Sequence, residues 1–166
     1  GSISFSQGDQ KVYSISDDMS DKIIYTMGYN FVAAEEDNSE GMILTVFPDP
    51  VSDGTFTLNK YPAVYMSLTY IIDGVNCSEG MAITFKFEDG SLLQTEYSTE
   101  FNCDGSVIYV FSKSDIKKLS TNKIVKVKIQ DKRSYTSYTV EITEDKQCYY
   151  FRDLLLALKL PAVPLN

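Results

Sequence analysis

Four acids within six residues, Glu35, Glu36, Asp37 and Glu40 of the stretch EEDNSEG, form the densest group of side chains in this sequence that could do chemistry. Their hard carboxylate oxygens suit calcium; the spacing is not that of an EF-hand loop, so the four stand as calcium candidates in an irregular loop. Paired carboxylates also serve glycoside hydrolysis, one giving a proton while the other acts as base or nucleophile. Nothing in the spacing sets two of these acids across a cleft.

Histidine is absent. That removes the commonest general base, the Ser-His and Cys-His pairings, and the usual nitrogen ligand of zinc. Phosphate-cradling glycine loops of the Walker or dinucleotide type are missing as well. Lys117 and Lys118 are amines by type, but exposure on a helix offers no desolvation to lower their pKa. The chain therefore leans away from catalysis: no catalytic or cofactor-binding residue is assigned, and no cofactor is expected.

Cys77, Cys103 and Cys148 are widely spaced and make no Cys-x-x-Cys motif. An odd count allows one internal bridge at most, and Cys77 and Cys103 each sit beside a turn where they could meet. Buried free thiols are the alternative. Asn76-Cys77-Ser78 fits the N-glycosylation triplet, a short pattern that arises easily by chance.

The formal net charge is −8, which disfavours nucleic acid as a partner. Charge is unevenly spread. SKSDIKKLSTNKIVKVKIQDKR, residues 112–133, holds 8 of the 15 basic residues and 2 of the 23 acids, so it carries +6. A solvated helix end and strand face explain such a run. If the run is a partner surface, Lys126, Lys128, Lys132 and Arg133 should form its stripe.

The elements that must position these residues are mostly strands. Tyr, Phe, Val, Ile and Thr are plentiful, the set that fits a pleated, half-buried surface. Four Asp-Gly pairs (53–54, 73–74, 89–90 and 104–105) punctuate the chain, each able to centre a tight turn. MAITFKFE alternates Ile83, Phe85 and Phe87 against Thr84, Lys86 and Glu88, then turns through Asp89-Gly90 into LLQTEYS, a hairpin. KVYSIS and KIIYTMGYNFVAA predict strands, the second interrupted at Gly28, and GMILTVFP a third ending at Pro48 and Pro50. AVYMSLTYII (63–72) is apolar or small on both faces and predicts a central strand covered on both sides; SVIYVFS (106–112) predicts another buried strand.

Ser112-x-x-Asp115 has the spacing of a capping box, followed by Ile116 and Leu119 on one face, which predicts a helix of roughly two turns ending at Ser120-Thr121-Asn122, with Asn122 suited to a left-handed cap. Beyond it Val125, Val127 and Ile129 point one way, and Lys126, Lys128 and Gln130 the other. The turn DKRS leads to SYTSYTVEIT, whose Tyr138, Val140 and Ile142 face inward, leaving Tyr135, Thr139 and Glu141 in the outward row beside the lysines. DKQCYYFRDLLLALKLP predicts one longer helix, with Cys148, Phe151, Leu155 and Leu158 on its apolar stripe, Tyr150 and Leu154 widening it, and Pro161 stopping it.

The runs FKFEDGSLLQ and FSKSDIKKLSTNKIVKVKIQD together resemble a recurring half-domain of uncharacterised secreted or surface-lipoprotein β proteins of Bacteroides-type gut bacteria. In these a hairpin leads to a short S-x-x-D-I-x-x-L helix and a lysine-alternating strand. The resemblance covers residues 81–142. It implies a β-sandwich and an extracytoplasmic home, in the periplasm or at the cell surface, and it carries over no activity and no site residues. The opening GSISFSQGDQ shows no leader and no Met and reads as a mature or trimmed start; no apolar run reaches the length of a membrane span. The expectation is one β-rich domain over residues 1–166: mostly β, an antiparallel β-sandwich-like domain with a short inter-strand helix and a C-terminal helix. It would serve as an extracytoplasmic non-catalytic binding or accessory module for a glycan or another protein. A carboxylate-dependent glycoside-processing enzyme and a structural or assembly domain are the alternatives.

Overall fold

The structure is a computed structural model that describes residues 10–35, 37, 39–48, 56, 64–99 and 101–166. The opening residues 1–9, Glu36, Pro50 and the Asp53-Gly54 turn lie outside the described residues. The fold is mostly β, with short helices, and has the expected sandwich-like form. One sheet runs in the order β3 (Phe31–Ala34), β4 (Gly41–Phe47), β5 (Val64–Ile71), β8 (Ser106–Phe111). The facing sheet runs β10 (Ser137–Glu141), β9 (Ile124–Asp131), β6 (Met81–Phe87), β7 (Leu92–Gln94), and every pairing within both sheets is antiparallel.

Alternation drives the packing. Phe31, Phe85 and Phe111 are each inward by strand parity, and Phe85 meets the other two across the sandwich at ring-centroid distances of 6.1 and 6.3 Å. Helix α3 (Tyr150–Ala157) inserts Phe151 among all three, 6.0 Å from Phe85. Each such edge or tilted contact contributes about 0.5–1.5 kcal/mol beyond the area it buries. The β6–β7 hairpin forms as expected, with Ile83, Phe85 and Phe87 fully buried and Gly90 at φ +86° closing the turn.

Helix α1 (Lys113–Thr121) carries the expected capping box, with the Ser112 hydroxyl and the Asp115 carboxylate each taking the other's backbone N–H. Ile116 and Leu119 are buried, and the helix lies against α3. Its end differs from the expectation. Asn122 is extended, at φ −126°, and closes the helix through its side chain, whose amide donates to the Lys118 carbonyl at 2.8 Å.

The single C-terminal helix of the sequence reading is two pieces, α2 (Asp145–Cys148) and α3, separated at Tyr149 (φ −111°, ψ 22°). On either side of the break Cys148, Tyr150 and Phe151 are all buried. Leu155 and Leu158 are only half-buried, while Leu154 and Ala157 face the core. A third sheet, β11 (Val163–Pro164), β1 (Val12–Asp17), β2 (Lys22–Met27), was not expected. Its β11 runs parallel to β1, and Asn166 holds the end of the chain there by bonding the Ser16 N–H and C=O.

Of the described Asp-Gly pairs only 89–90 joins neighbouring strands. The pairs at 73–74 and 104–105 sit where the chain leaves the first sheet after β5 and re-enters it at β8, with φ of +83° and +71° at their glycines. Between those points the Cys77–Cys103 disulfide ties the outgoing and returning segments together, next to a paired bridge of Ser78 and Asn102. Cys148 is the free, buried thiol, with burial pushing its pKa up.

A bridge spanning 26 residues removes enough freedom from the unfolded chain to stabilise the fold by about 3 kcal/mol. Thermal unfolding with and without reductant tests this: the expected drop in Tm is roughly 6–12 °C, reproduced by the Cys77→Ala/Cys103→Ala double variant. Identical melting curves would show that the Ser78–Asn102 pairing holds the crossover unaided.

Candidate functional site: an uncharged sheet face and its open edge

Residues 63–72 are apolar or small on both parities, and 106–112 set Ile108 and Val110 between serines on the second; among the described residues the structure buries one parity of each. In β5, Val64, Met66, Leu68 and Tyr70 are buried while Tyr65, Thr69 and Ile71 are exposed; in β8, Val107, Tyr109 and Phe111 are buried while Ile108 and Val110 are 62% and 59% exposed. The expectation of a doubly covered strand over residues 63–72 is therefore corrected: β5 is central, but its second face is exposed.

Register assembles these exposed residues into rows across the sheet. Phe47, Tyr65 and Val110 form one row, Thr45, Ser67 and Ile108 the next, and Val32, Ile43, Thr69 and Ser106 the third. No residue in the three rows is charged. From strand spacing and length the face presents roughly 400 Å². The outer face of the facing sheet is different in kind. Lys126 lies between Lys86 and Glu141, and Lys128 between Thr84 and Thr139.

The edge of β8 borders the uncharged face. The Tyr70 N–H bonds the Gly105 carbonyl, and this fixes the alternation along the ladder: Val107, Tyr109 and Phe111 turn their peptide groups to β5, and Ser106, Ile108 and Val110 turn theirs outward. The Ser106 carbonyl is taken by the Asn102 side-chain amide. Ile108 and Val110 receive no such partner among the described residues. A groove of about 600 Å³ runs beside them, lined by residues 94–99, 108–111 and Asp115. Glu96 and Asp115 are its charged groups.

The residues singled out in the sequence fall elsewhere. Glu35 accepts a hydrogen bond from the Tyr138 hydroxyl at 3.3 Å, and that phenol is pushed up to about 12 by burial first and by the Glu35 carboxylate second. Asp37 accepts from the Ser39 N–H, and Glu40 from the Asp73 N–H. The three described acids of the loop thus turn to separate partners, and among the described residues no group of three or more acids, cysteines or histidines is placed to hold a metal ion. Lys126 and Lys128 share the outer face of β9, Lys126 at 4.0 Å from Glu141. Lys132 and Arg133 lie in the following turn, where Arg133 pairs with Glu79 at 3.2 Å. Thr139 and Glu141 stand opposite the lysines as expected. Tyr135 does not join them; it adopts φ +58° in the turn, 70% exposed. Lys118 reaches the Leu92 carbonyl at 2.9 Å and lies over the Phe87 ring.

Asp131 is an acid that sequence reasoning did not single out. It is 3% exposed and receives the Ser78 hydroxyl at 2.6 Å and both the N–H and the hydroxyl of Ser134. Burial works to raise its pKa, but these donors outweigh burial and hold the carboxyl below its usual range. Ser78 is adjacent to the disulfide, so Asp131 joins the end of β9 to the stapled crossover. The Ser78 of the glycosylation-like triplet is accordingly a buried structural hydroxyl. A second buried acid, Asp153, accepts from the Tyr29 hydroxyl at 3.2 Å and pairs with Arg152.

Comparison with family models, with curated proteins and with solved structures gave no match to this chain. The geometry of the chain is thus the ground for any functional reading.

Because its folded pKa is depressed, Asp131 contributes stability that is fully present above the carboxylate's unfolded pKa and lost as pH falls through the lower folded value. Wild-type stability should decline as pH drops below about 4. Asp131→Asn, which leaves the Ser134 N–H facing an amide, should cost on the order of 1–3 kcal/mol at neutral pH and flatten that acid limb. Denaturant titrations from pH 2 to 7 measure both effects; an unchanged acid limb in the variant would assign it to other carboxylates.

Proposed function

We propose that this chain is a non-catalytic binding module of an extracytoplasmic protein system, and that it holds a protein partner on the uncharged outer face of β3, β4, β5 and β8. The observation that carries this reading lies in β5 and β8: Tyr65, Ile71, Ile108 and Val110 are exposed on a face where alternation calls for polar residues. A solvated sheet face is ordinarily polar by alternation, as the Lys86–Lys126–Glu141 face is. Depletion of charge with retained aromatic and aliphatic side chains is the composition of an interface core, and here Phe47, Tyr65, Val110 and Ile108 stand beside small hydroxyl residues with no charge among them.

The setting is supported by the Cys77–Cys103 disulfide, a bond that persists in oxidising compartments, and it agrees with the resemblance over residues 81–142. No described helix is long and apolar enough to cross a membrane. A second reading has its own observation: Phe47 and Tyr65 are direct cross-strand neighbours, each 50% exposed, beside the hydroxyls of Thr45 and Ser67. Two adjacent rings with flanking hydroxyls suit stacking on a glycan.

A screen against a glycan array and a displayed library of extracellular protein fragments separates these readings. The wild type should select protein fragments. Ile43→Glu/Tyr65→Glu should weaken them at least tenfold, whereas Lys126→Glu/Lys128→Glu should leave them bound, and both variants should melt within a few degrees of wild type. Binding confined to glycans and abolished by Phe47→Ala/Tyr65→Ala would replace the protein reading. Loss of binding on reversing the lysines would move the site to the other sheet.

A further inference from the structure

We propose that the open edge of β8 accepts an extended segment of the partner protein as an added strand, and that this segment alternates β-branched residues with lysine or arginine. The inference rests on the binding-module reading above and names the chemistry of the partner. Four edges terminate the two main sheets, and three of them are guarded. At β3 the Gln147 side chain accepts from the Val32 N–H and donates to the Asn30 carbonyl, copying a neighbouring strand. At β7 the Lys118 ammonium occupies the outward Leu92 carbonyl. β10 turns Ser137, Thr139 and the charged Glu141 outward. Such devices keep edges from pairing with other chains.

β8 has none of them at Ile108 and Val110. It carries no lysine, proline or bulge, and its outward peptide groups face a groove rather than a packed element. A strand laid along it gains main-chain hydrogen bonds from those two residues, the mode by which sheets take up extended peptides. Parity then sets the peptide's side chains. One set continues the uncharged rows beside Val110 and Ile108, where β-branched residues fit. The other set enters the groove, whose charged residues, Glu96 and Asp115, are both acidic. Complementarity selects a cation there, and the chain's formal net charge of −8 works in the same direction.

The probe is the synthetic peptide acetyl-TVKVKVT-amide, with acetyl-TVEVEVT-amide as its charge-reversed control. Amide exchange followed by NMR on the disulfide-intact chain should show Ile108 and Val110 exchanging fast in the free protein, and Val107, Tyr109 and Phe111 slow. The lysine peptide should protect Ile108 and Val110 and bind at least tenfold more tightly than the glutamate peptide. Val110→Pro removes one outward N–H without touching the ladder to β5, so it should cut peptide binding at least tenfold; if the variant does not fold, a peptide N-methylated at its central valine serves instead. Protection of Ile108 and Val110 in the monomer without peptide would show a segment of this chain on the edge and overturn the proposal. Protection that grows with protein concentration would show a second copy and do the same, as would the absence of peptide binding at millimolar concentration. Fragments from the screen that survive Val110→Pro yet are lost in Ile43→Glu/Tyr65→Glu would sink strand addition and leave the face reading standing.

Discussion

The contact of Phe85 with Phe31, Phe111 and Phe151 is the constraint from which the rest of the molecule follows. Phe85 belongs to one sheet, Phe31 and Phe111 to the other, and Phe151 to the helix that closes that end. A strand has a side-chain period of two, so turning these rings inward decides every other position on β3, β6 and β8. Lys86 must then point out on one side of the sandwich, and Val32, Ile108 and Val110 on the other. The charged face and the uncharged face are thus two consequences of one packing event. A slip of one residue in β8 would exchange Ile108 and Val110 for Val107, Tyr109 and Phe111, placing a buried tyrosine and phenylalanine in water. The register is therefore strongly specified even though the outward parity carries Ile108 and Val110.

Local features were legible in the sequence and non-local ones were not. Ser112 and Asp115 are three residues apart, and their capping box follows from backbone geometry alone. The β6–β7 hairpin likewise needs only Asp89-Gly90 and the alternation on either side. The ladder of β9 and β10 was readable for the same reason, since a short turn joins them and sets Thr139 against Lys128. By contrast, the Asp131–Ser78 hydrogen bond spans 53 residues, and no periodicity reports it. The Tyr149 break was hidden because Cys148, Phe151 and Leu155 fit one helical stripe, and a single non-helical residue between them leaves that spacing unchanged in the sequence. β11 was hidden because Pro161 reads as the stop of the helix and two residues beyond it give no strand pattern, although Pro164 on a sheet edge loses no ladder bond.

Several charged side chains that stand out in the sequence enter local partnerships for one physical reason. A charged side chain on a half-covered surface reaches for the nearest unsatisfied group, and such groups lie at turns and strand ends. Lys118 finds the Leu92 carbonyl, Arg133 finds Glu79, Lys123 finds Glu88 at 3.5 Å, and Glu40 finds the Asp73 N–H. Pairs this exposed contribute little stability each, but they close edges and turns against other chains. Density of charge along the sequence thus marks where the fold is being finished.

The proposed function rests on the reverse pattern, apolar residues where alternation calls for polar ones. Thr45, Ser67, Thr69 and Ser106 show that small polar residues are accommodated on the outer face of the first sheet, so Tyr65, Ile71, Ile108 and Val110 are not there for want of an alternative. Keeping them exposed raises the hazard of non-specific association, a hazard the fold meets at its other edges with Gln147, Lys118 and Glu141. Leaving β8 unguarded beside that face places an apolar surface and two outward-turned residues of peptide groups side by side. An apolar face alone gives area without register, and an open edge alone gives register with little area. Their adjacency supplies both, which is why the proposed partner is placed on this face and edge together.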